Sequence, residues 1–341
     1  MIHGSILTSL SRIRQVLRYH LGQKLLVLWQ FRGLTPDVGA GLVALCGAST
    51  RVARTLRNLK EPSYLRTNAM ITSFSNPLIK QIKQLRHKKE RQMTGRFFAE
   101  GLRVVMSALE AQAPVESVVY APELLKSEAA WQMIRAREQA GGSVVPVAAA
   151  VFQSFSDRDN ATGLGAIIHI QPHTLDQLPI SSQSIFVLLD RVADPGNLGT
   201  VLRSLDAVGA NGLILTGEST DPYHPTAVKA SMGTLFTLPL VQLPGIEPVW
   251  VWAQTHQIHT IATSAKASQE YWKSPYQFPV LLLMGNEQEG LSQMVQDAAA
   301  SRITIPMFGQ ASSLNLGVAT SLLLYELRRR LNVPGQIPPT L

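Results

Sequence analysis

Two hydrophobic patterns divide the chain. Between residues 71 and 170 apolar positions recur at helical spacing and are interleaved with short apolar runs. Ile79, Ile82 and Leu85 fall on one face of a helix that Ser75 or Asn76 can cap, and Val104, Val105, Ala108 and Leu109 repeat the spacing. Residues 115–120, 144–146 and 164–170 read as strands and 129–139 as a helix, which together predict a small α/β domain. A linker over 171–183, with Pro172, Pro179 and several Ser and Gln residues, ends that pattern. Beyond it, unbroken apolar runs at 185–189, 212–215, 259–263, 280–284 and 303–305 alternate with helical segments at 198–208, 247–256, 290–299 and 313–331. Continuous apolar strands separated by helices predict a parallel sheet covered on both faces.

Residues 1–69 follow neither pattern. They hold ten basic residues against Asp37 and Glu61, and turn residues interrupt their periodicity. Three readings are open: an organelle transit segment, an over-extended start ahead of Met70, or a disordered basic arm that helps hold RNA. Gly39 to Ala44 formally matches a dinucleotide fingerprint but follows Thr35-Pro36-Asp37 rather than a strand, which marks a chance match. The apolar runs at 25–29 and 39–48 fall short of the ~20 residues that span a bilayer, and no secretory signal pattern opens the chain. The expected compartment is the cytoplasm, or an organelle if 1–69 is a transit segment. The division expected along the chain is 1–69, 70–170, 171–183, 184–332 and a tail over 333–341.

Charge then narrows the partners. The 341 residues carry a net charge of +8, which favours a polyanion. Residues 80–96 concentrate it: Lys80, Lys83, Arg86, Lys88, Lys89, Arg91 and Arg96 stand against Glu90 alone. Such a run is either a solvated helix face or a phosphate-contacting surface, and Lys80, Lys83, Arg86 and Arg91 are the candidate RNA contacts. The single cysteine, Cys46, excludes an internal disulfide framework and a cysteine-based zinc site, and the scattered histidines form no metal-binding pattern, so no metal is expected. No GxxxxGK[ST] and no GxSxG occurs, which disfavours a phosphate-cradling NTPase and a hydrolase nucleophile elbow.

Three polar, glycine-bearing turns follow predicted strands. The first runs from Asp190 through Asp194-Pro195-Gly196-Asn197 to Arg203, with Asn197 near the expected N-cap. The second is Gly285-Asn286-Glu287-Gln288-Glu289-Gly290. The third runs from Ile305-Pro306-Met307 to Ser312-Ser313-Leu314-Asn315-Leu316-Gly317. In open α/β sheets ligands bind beyond the carboxyl ends of the strands, so the three turns are expected to converge on one cleft. Gly285 and Gly290 permit close backbone approach to a ligand there.

These three segments, in this order and spacing, closely resemble the signature motifs of the SpoU/TrmH RNA ribose 2′-O-methyltransferases of the knotted SPOUT class. The resemblance covers 184–331. The segment from Lys229 to Phe236 resembles the family's connecting segment, and 71–80 with 95–103 resembles its small substrate-binding domain. The implied fold is α/β: a C-terminal knotted parallel-sheet methyltransferase domain with a smaller N-terminal α/β substrate-binding domain. The implied cofactor is S-adenosylmethionine, held by Thr263, Gly285, Ile305, Ser313, Leu314 and Asn315. The implied catalytic residues are Asn197, Arg203, Glu287 and Asn315. Glu287 has two open readings: an active-site or dimer-contact carboxylate, or a brace that accepts backbone N–H groups of the motif turn. Many relatives carry serine where this chain has Gly317. A homodimer acting on RNA is implied, with rRNA preferred and tRNA possible. The rival readings are an RNA-binding protein of this fold without turnover and a base-methylating enzyme of the same class.

Overall fold

A computed structural model describes residues 69–157 and 160–331. The expectations for the basic extension 1–69 (Ala69 apart), for Cys46 and for the tail 333–341 concern residues outside the described ones.

The first domain begins as its sequence predicts. Asn76 caps α1 (Pro77–Gln84), its Oδ1 accepting the Leu78 N–H at 2.9 Å, and Pro77 occupies the first turn, where no N–H is needed. Leu78, Ile79, Ile82 and Leu85 turn inward. The basic run is not one helix. It breaks at residues 85–87, resumes as α2 (Lys88–Thr94), stops on Gly95 at φ +62°, and continues as a strand absent from the sequence reading, β1 (Arg96–Glu100). In β1, buried Phe97 and Ala99 alternate with half-buried Arg96, Phe98 and Glu100, the period of a strand. With β2 (Val115–Tyr120), β3 (Ser143–Pro146) and β4 (Leu164–His169) it forms a sheet of order β1-β4-β2-β3, antiparallel except for β2 with β3. Helices α3 (Leu102–Glu110), α4 (Glu128–Gln139) and α5 (Ala149–Gln153) connect these strands.

The second domain is a six-stranded parallel sheet. Its strands are β5 (Ile185–Asp190), β6 (Gly212–Thr216), β7 (Leu240–Leu243), β8 (His259–Thr263), β9 (Val280–Met284) and β10 (Ser301–Ile303), in the order β10-β8-β9-β5-β6-β7. The short edge strand β7 was not predicted, and β10 lies two residues earlier than expected. Every residue of the neighbouring strands β5 and β9 is buried because both faces are covered. Val187, Leu189 and Met284 share a core with α6 (Pro195–Ala207), α7 (Pro225–Ser231) and α10 (Leu316–Arg330). Phe186, Leu188 and Leu283 pack in the opposite core with residues of α8 (Glu247–Thr255) and α9 (Gln293–Ala298). Since all six strands run one way, the turns after β5, β9 and β10 emerge at one edge.

Among the described residues a buried ion pair joins the domains, beside the contacts of Phe97 with Tyr223 and Phe236. The Arg91 guanidinium donates to Asp221 Oδ2 from Nε at 2.8 Å and lies 2.6 Å away at its other end, and it also donates to the carbonyls of Leu85 and Arg86. Its side chain is 2% exposed. Arg91 is therefore not an RNA contact: it is buried with its donors engaged, ties the small domain to the loop before α7, and ends the carbonyl row of α1. Removing one partner of a buried ion pair strands the other charge. Arg91→Ala is expected to cost about 3–5 kcal/mol of stability, read as a large fall in thermal midpoint. Lys80→Ala, at an exposed position, is expected to leave the midpoint within the small range typical of surface substitutions.

Candidate active site

The turn after β5 is set by a proline and a carboxylate. Asp194, not Asn197, caps α6: its Oδ1 accepts the Asn197 N–H at 2.7 Å, with Pro195 next in line. The sequence expectation misplaced the cap by three residues. The correction matters because it leaves the Asn197 side chain, in the first turn of the helix, available for other partners.

Those partners come from the other two turns. Asn197 Nδ2 donates to Glu287 Oε1 at 3.1 Å, and Asn197 Oδ1 accepts from Asn315 Nδ2 at 2.8 Å. Glu287 also accepts the backbone N–H groups of Ala193 at 3.1 Å and Asp194 at 3.2 Å. Asn315 caps α10, its Oδ1 accepting from Gly317 and Val318. One side-chain chain, Glu287–Asn197–Asn315, thus links all three motifs. Of the two readings of Glu287, the geometry supplies the brace directly. Partial burial pushes its carboxyl up, but the hydrogen bonds from Asn197 and from backbone N–H groups outweigh that and hold it below the usual range.

The turn after β9 closes on itself. Asn286 Oδ1 accepts the N–H groups of Gln288 and Glu289, its Nδ2 donates to the Arg191 carbonyl at 2.7 Å, and the Gly290 N–H returns to the Asn286 carbonyl. A Cβ on Gly285 would lie 2.1 Å from the Gly290 carbonyl carbon. Gly285 is therefore required by its own turn, a packing reason that stands beside the expected backbone approach to a ligand. Arg191 sits at φ +54° and bridges Asp190 and Glu289, so it braces the first two turns again. Sequence reasoning missed Asp194, Asn286 and Arg191. Asp194 before Pro195 carried a legible capping signal, whereas the partners of Asn286 and Arg191 lie about 95 residues away in sequence.

Arg203 lies on α6 and is exposed, and its guanidinium makes no hydrogen bond or ion pair with any described residue. Its neighbour Ser204 meets Ser321 of α10 at 2.6 Å. The two helices are close enough that a Cβ on Gly317 would fall 2.9 Å from Thr200 Cγ2, which gives a packing reason for glycine at that position.

The residues expected to hold the cofactor gather at the same sheet edge. Thr263 ends β8 and its hydroxyl donates to the Leu283 carbonyl at 3.0 Å. Ile305 is half-buried, Leu314 and Ser313 are exposed, and the backbone N–H groups of 307–314 form no hydrogen bond with the described residues. Accessible main-chain donors beside apolar side chains fit an adenosine group, which needs a flat apolar slot with a few polar contacts. Among the described residues no group of three or more His, Cys, Asp or Glu is placed to hold a metal, and no helix is long and apolar enough to cross a membrane.

The four candidate RNA cations divide. Lys80 is exposed, and Lys83 lies 5.9 Å above the Phe74 ring, half-exposed. Arg86 pairs with Asp157 at 2.6 Å and donates to the carbonyls of Phe155 and Ser156, so its guanidinium serves the small domain's own loop. Arg91 is buried, as described above.

Because the Glu287 carboxyl is held low, the stability it confers is present above the unfolded carboxyl value of ~4.3 and is lost as pH falls through its lower folded value. Glu287→Gln presents an amide N–H₂ where acceptors are needed. It is expected to cost about 1–3 kcal/mol near neutrality and to flatten the acid limb of the stability–pH profile. Denaturant titrations across that range check both.

Comparison with known proteins agrees with this architecture. Residues 184–325 match the SpoU rRNA Methylase family and residues 76–166 the MRM3-like substrate binding domain. The chain is 32% identical over 254 residues to a 23S rRNA (uridine(2479)-2′-O)-methyltransferase of Streptomyces viridochromogenes, covering 72% of this chain and 87% of that one. It is 27% identical over 260 residues to the 23S rRNA (guanosine(2553)-2′-O)-methyltransferase RlmP of Bacillus subtilis, covering 76% and 98%. Among solved structures, an AdoMet-bound rRNA methyltransferase from Sinorhizobium meliloti superposes with a TM-score of 0.71 at 36% identity, covering 78% of this chain and 99% of that one. A chain with these two domains, this parallel sheet and three motif turns joined at one edge belongs to the SpoU rRNA methylase family.

Proposed function

We propose that this protein is an S-adenosylmethionine-dependent RNA methyltransferase that methylates a ribose 2′-hydroxyl of ribosomal RNA. The observation that carries the reading is the Glu287–Asn197–Asn315 chain, which draws the three motifs into one cleft and leaves Arg203 without an internal partner. The relatives named above act on 23S rRNA, one at a uridine and one at a guanosine, which supports rRNA over tRNA and leaves the base to be set by contacts outside the shared cleft.

Ile305, Leu314, Ser313 and the main chain of 307–314 would hold the cofactor's adenosine, with Thr263 and Gly285 shaping the strand ends beneath. When bound, S-adenosylmethionine supplies an electrophilic methyl group on a cationic sulfur. Arg203 does not act as the base, because a guanidinium stays protonated well above neutral pH. Its fixed charge orients the 2′-oxygen and stabilises the negative charge that develops there, while the proton passes to an RNA phosphate oxygen or to water. Asn197, Glu287 and Asn315 keep α6, and so Arg203, in place.

The reading extends to a homodimer and a C-terminal knot. Val318, Leu322 and Tyr325 present an exposed apolar stripe along α10, the composition of an interface core. A knot is supported by the chain path: α10 follows the edge strand β10 yet packs beside α6, which follows the central strand β5.

Nucleoside mass spectrometry of rRNA incubated with the protein and S-adenosylmethionine tests the activity. A 2′-O-methyl nucleoside is expected, and a base-methylated nucleoside or no product would refute it. In single-turnover assays at saturating RNA, Arg203→Ala is expected to remain ~10²–10³-fold slow while binding the cofactor normally. Lys80→Ala with Lys83→Ala is expected to weaken RNA binding, reduce its salt dependence by about one unit of slope per lysine, and recover its rate at saturation.

A further inference from the structure

Two aromatic rings stand at the open edge of the sheet outside the hydrogen-bonded chain of the cleft. Trp272 lies in a 3₁₀ turn, Tyr271–Lys273, within the crossover from β8 to β9, and Phe308 lies in the loop that follows β10. Backbone bonds hold these segments side by side: the Thr304 N–H donates to the Gln269 carbonyl at 2.8 Å and the Tyr271 N–H to the Thr304 carbonyl at 3.0 Å.

The rings are nearly parallel, 13° apart, with centroids separated by 6.5 Å. They do not cover one another. Phe308 is 89% exposed, which an offset-stacked phenyl in contact with an indole would not be. With the rings parallel and Phe308 this exposed, an aromatic face stays open on which a flat ring can stack. The two sides are unequal. Trp272 is anchored, in edge contact with Tyr271 at 4.8 Å and with its carbonyl accepting from the Arg330 guanidinium, which is itself ion-paired to Glu326. Phe308 stands exposed on the loop that follows β10.

We propose that Trp272 and Phe308 form a pincer for one unpaired nucleobase of the substrate RNA, beside the methyl-transfer cleft. The proposal rests on the RNA methyltransferase reading and adds a binding site to it. Every base has a π-face, so such a pincer is sequence-tolerant and selects for a base that is already unstacked. A base held there also fixes the position of its ribose–phosphate chain, which a reaction at a 2′-oxygen requires.

The test compares binding of the full chain to decauridylate and to an abasic decamer with the same ribose–phosphate backbone, at fixed salt. The unmodified protein is expected to prefer decauridylate. Phe308→Ala is expected to lose about 5- to 150-fold for decauridylate, the equivalent of about 1–3 kcal/mol per stacked base, and nothing for the abasic decamer. Phe308→Trp is expected to retain the preference, Trp272→Ala to lose it, and the exposed Phe308→Ala to keep its thermal midpoint. Equal binding of both oligomers by the unmodified protein, or equal losses for both in Phe308→Ala, would overturn the pincer. So would a smaller sedimenting species for Phe308→Ala, since a second copy would then be what covers the rings. Absence of methyl transfer to rRNA by the unmodified protein would instead overturn the enzymatic reading, and would leave the base-dependent difference in binding intact.

Discussion

The cleft depends on one carboxylate. Glu287, in the turn after β9, accepts from two backbone N–H groups and one amide of the turn after β5. Without it, Ala193 and Asp194 would lose their acceptors at the start of α6, and Asn197 would lose the partner that orients its amide towards Asn315. Arg203 is carried on that helix, so its direction is set by a residue 84 positions away that never touches it. The same carboxylate stands with Asp194 at the positive end of the α6 dipole. Two negative charges there leave that helix end a poor site for an RNA phosphate. The free positive charge is Arg203, further up the helix.

What could be read from the chain depended on how many faces an element buries. β5 and β9 are buried on both sides, so their sequences are unbroken apolar runs with no competing interpretation. β7 is four residues long at the sheet edge with Gln242 exposed, too short and too mixed to announce itself. β1 was hidden differently. Its alternation of Phe97 and Ala99 begins inside a basic run that reads as helix surface, and only the left-handed Gly95 separates the two. The break between α1 and α2 was also illegible, because the carbonyls of Leu85 and Arg86 are satisfied by the Arg91 side chain rather than by a continuing helix.

The site followed a related rule. Residue types at the three turns pointed to one cleft and to one family, but the local reasons for them were partly misread. Asn197 resembles a cap, yet the cap is Asp194 ahead of Pro195, and the asparagine serves a longer-range network. Gly285 carries a reason the sequence did not announce, since its own turn leaves no space for a Cβ. For Asn197 the deciding partners, Glu287 and Asn315, lie far away in sequence, and spacing within a motif cannot reveal them.

The distribution of charge follows from the same distinction. A net charge of +8 and a dense basic run suggest a broad RNA surface. In the folded chain Arg86, Arg91 and Arg191 are each committed to a carboxylate: Asp157, Asp221, and Asp190 with Glu289. Lys80 and Lys83 on the small domain and Arg203 on α6 remain outward or without an anion among the described residues. These sit on different domains, so an RNA that engages both must match the spacing between them. That spacing is held by the buried Arg91–Asp221 pair together with the packing of Phe97 against Tyr223 and Phe236. Arg91, expected from its place in the basic run to face RNA, is instead one of the contacts that hold the two domains together.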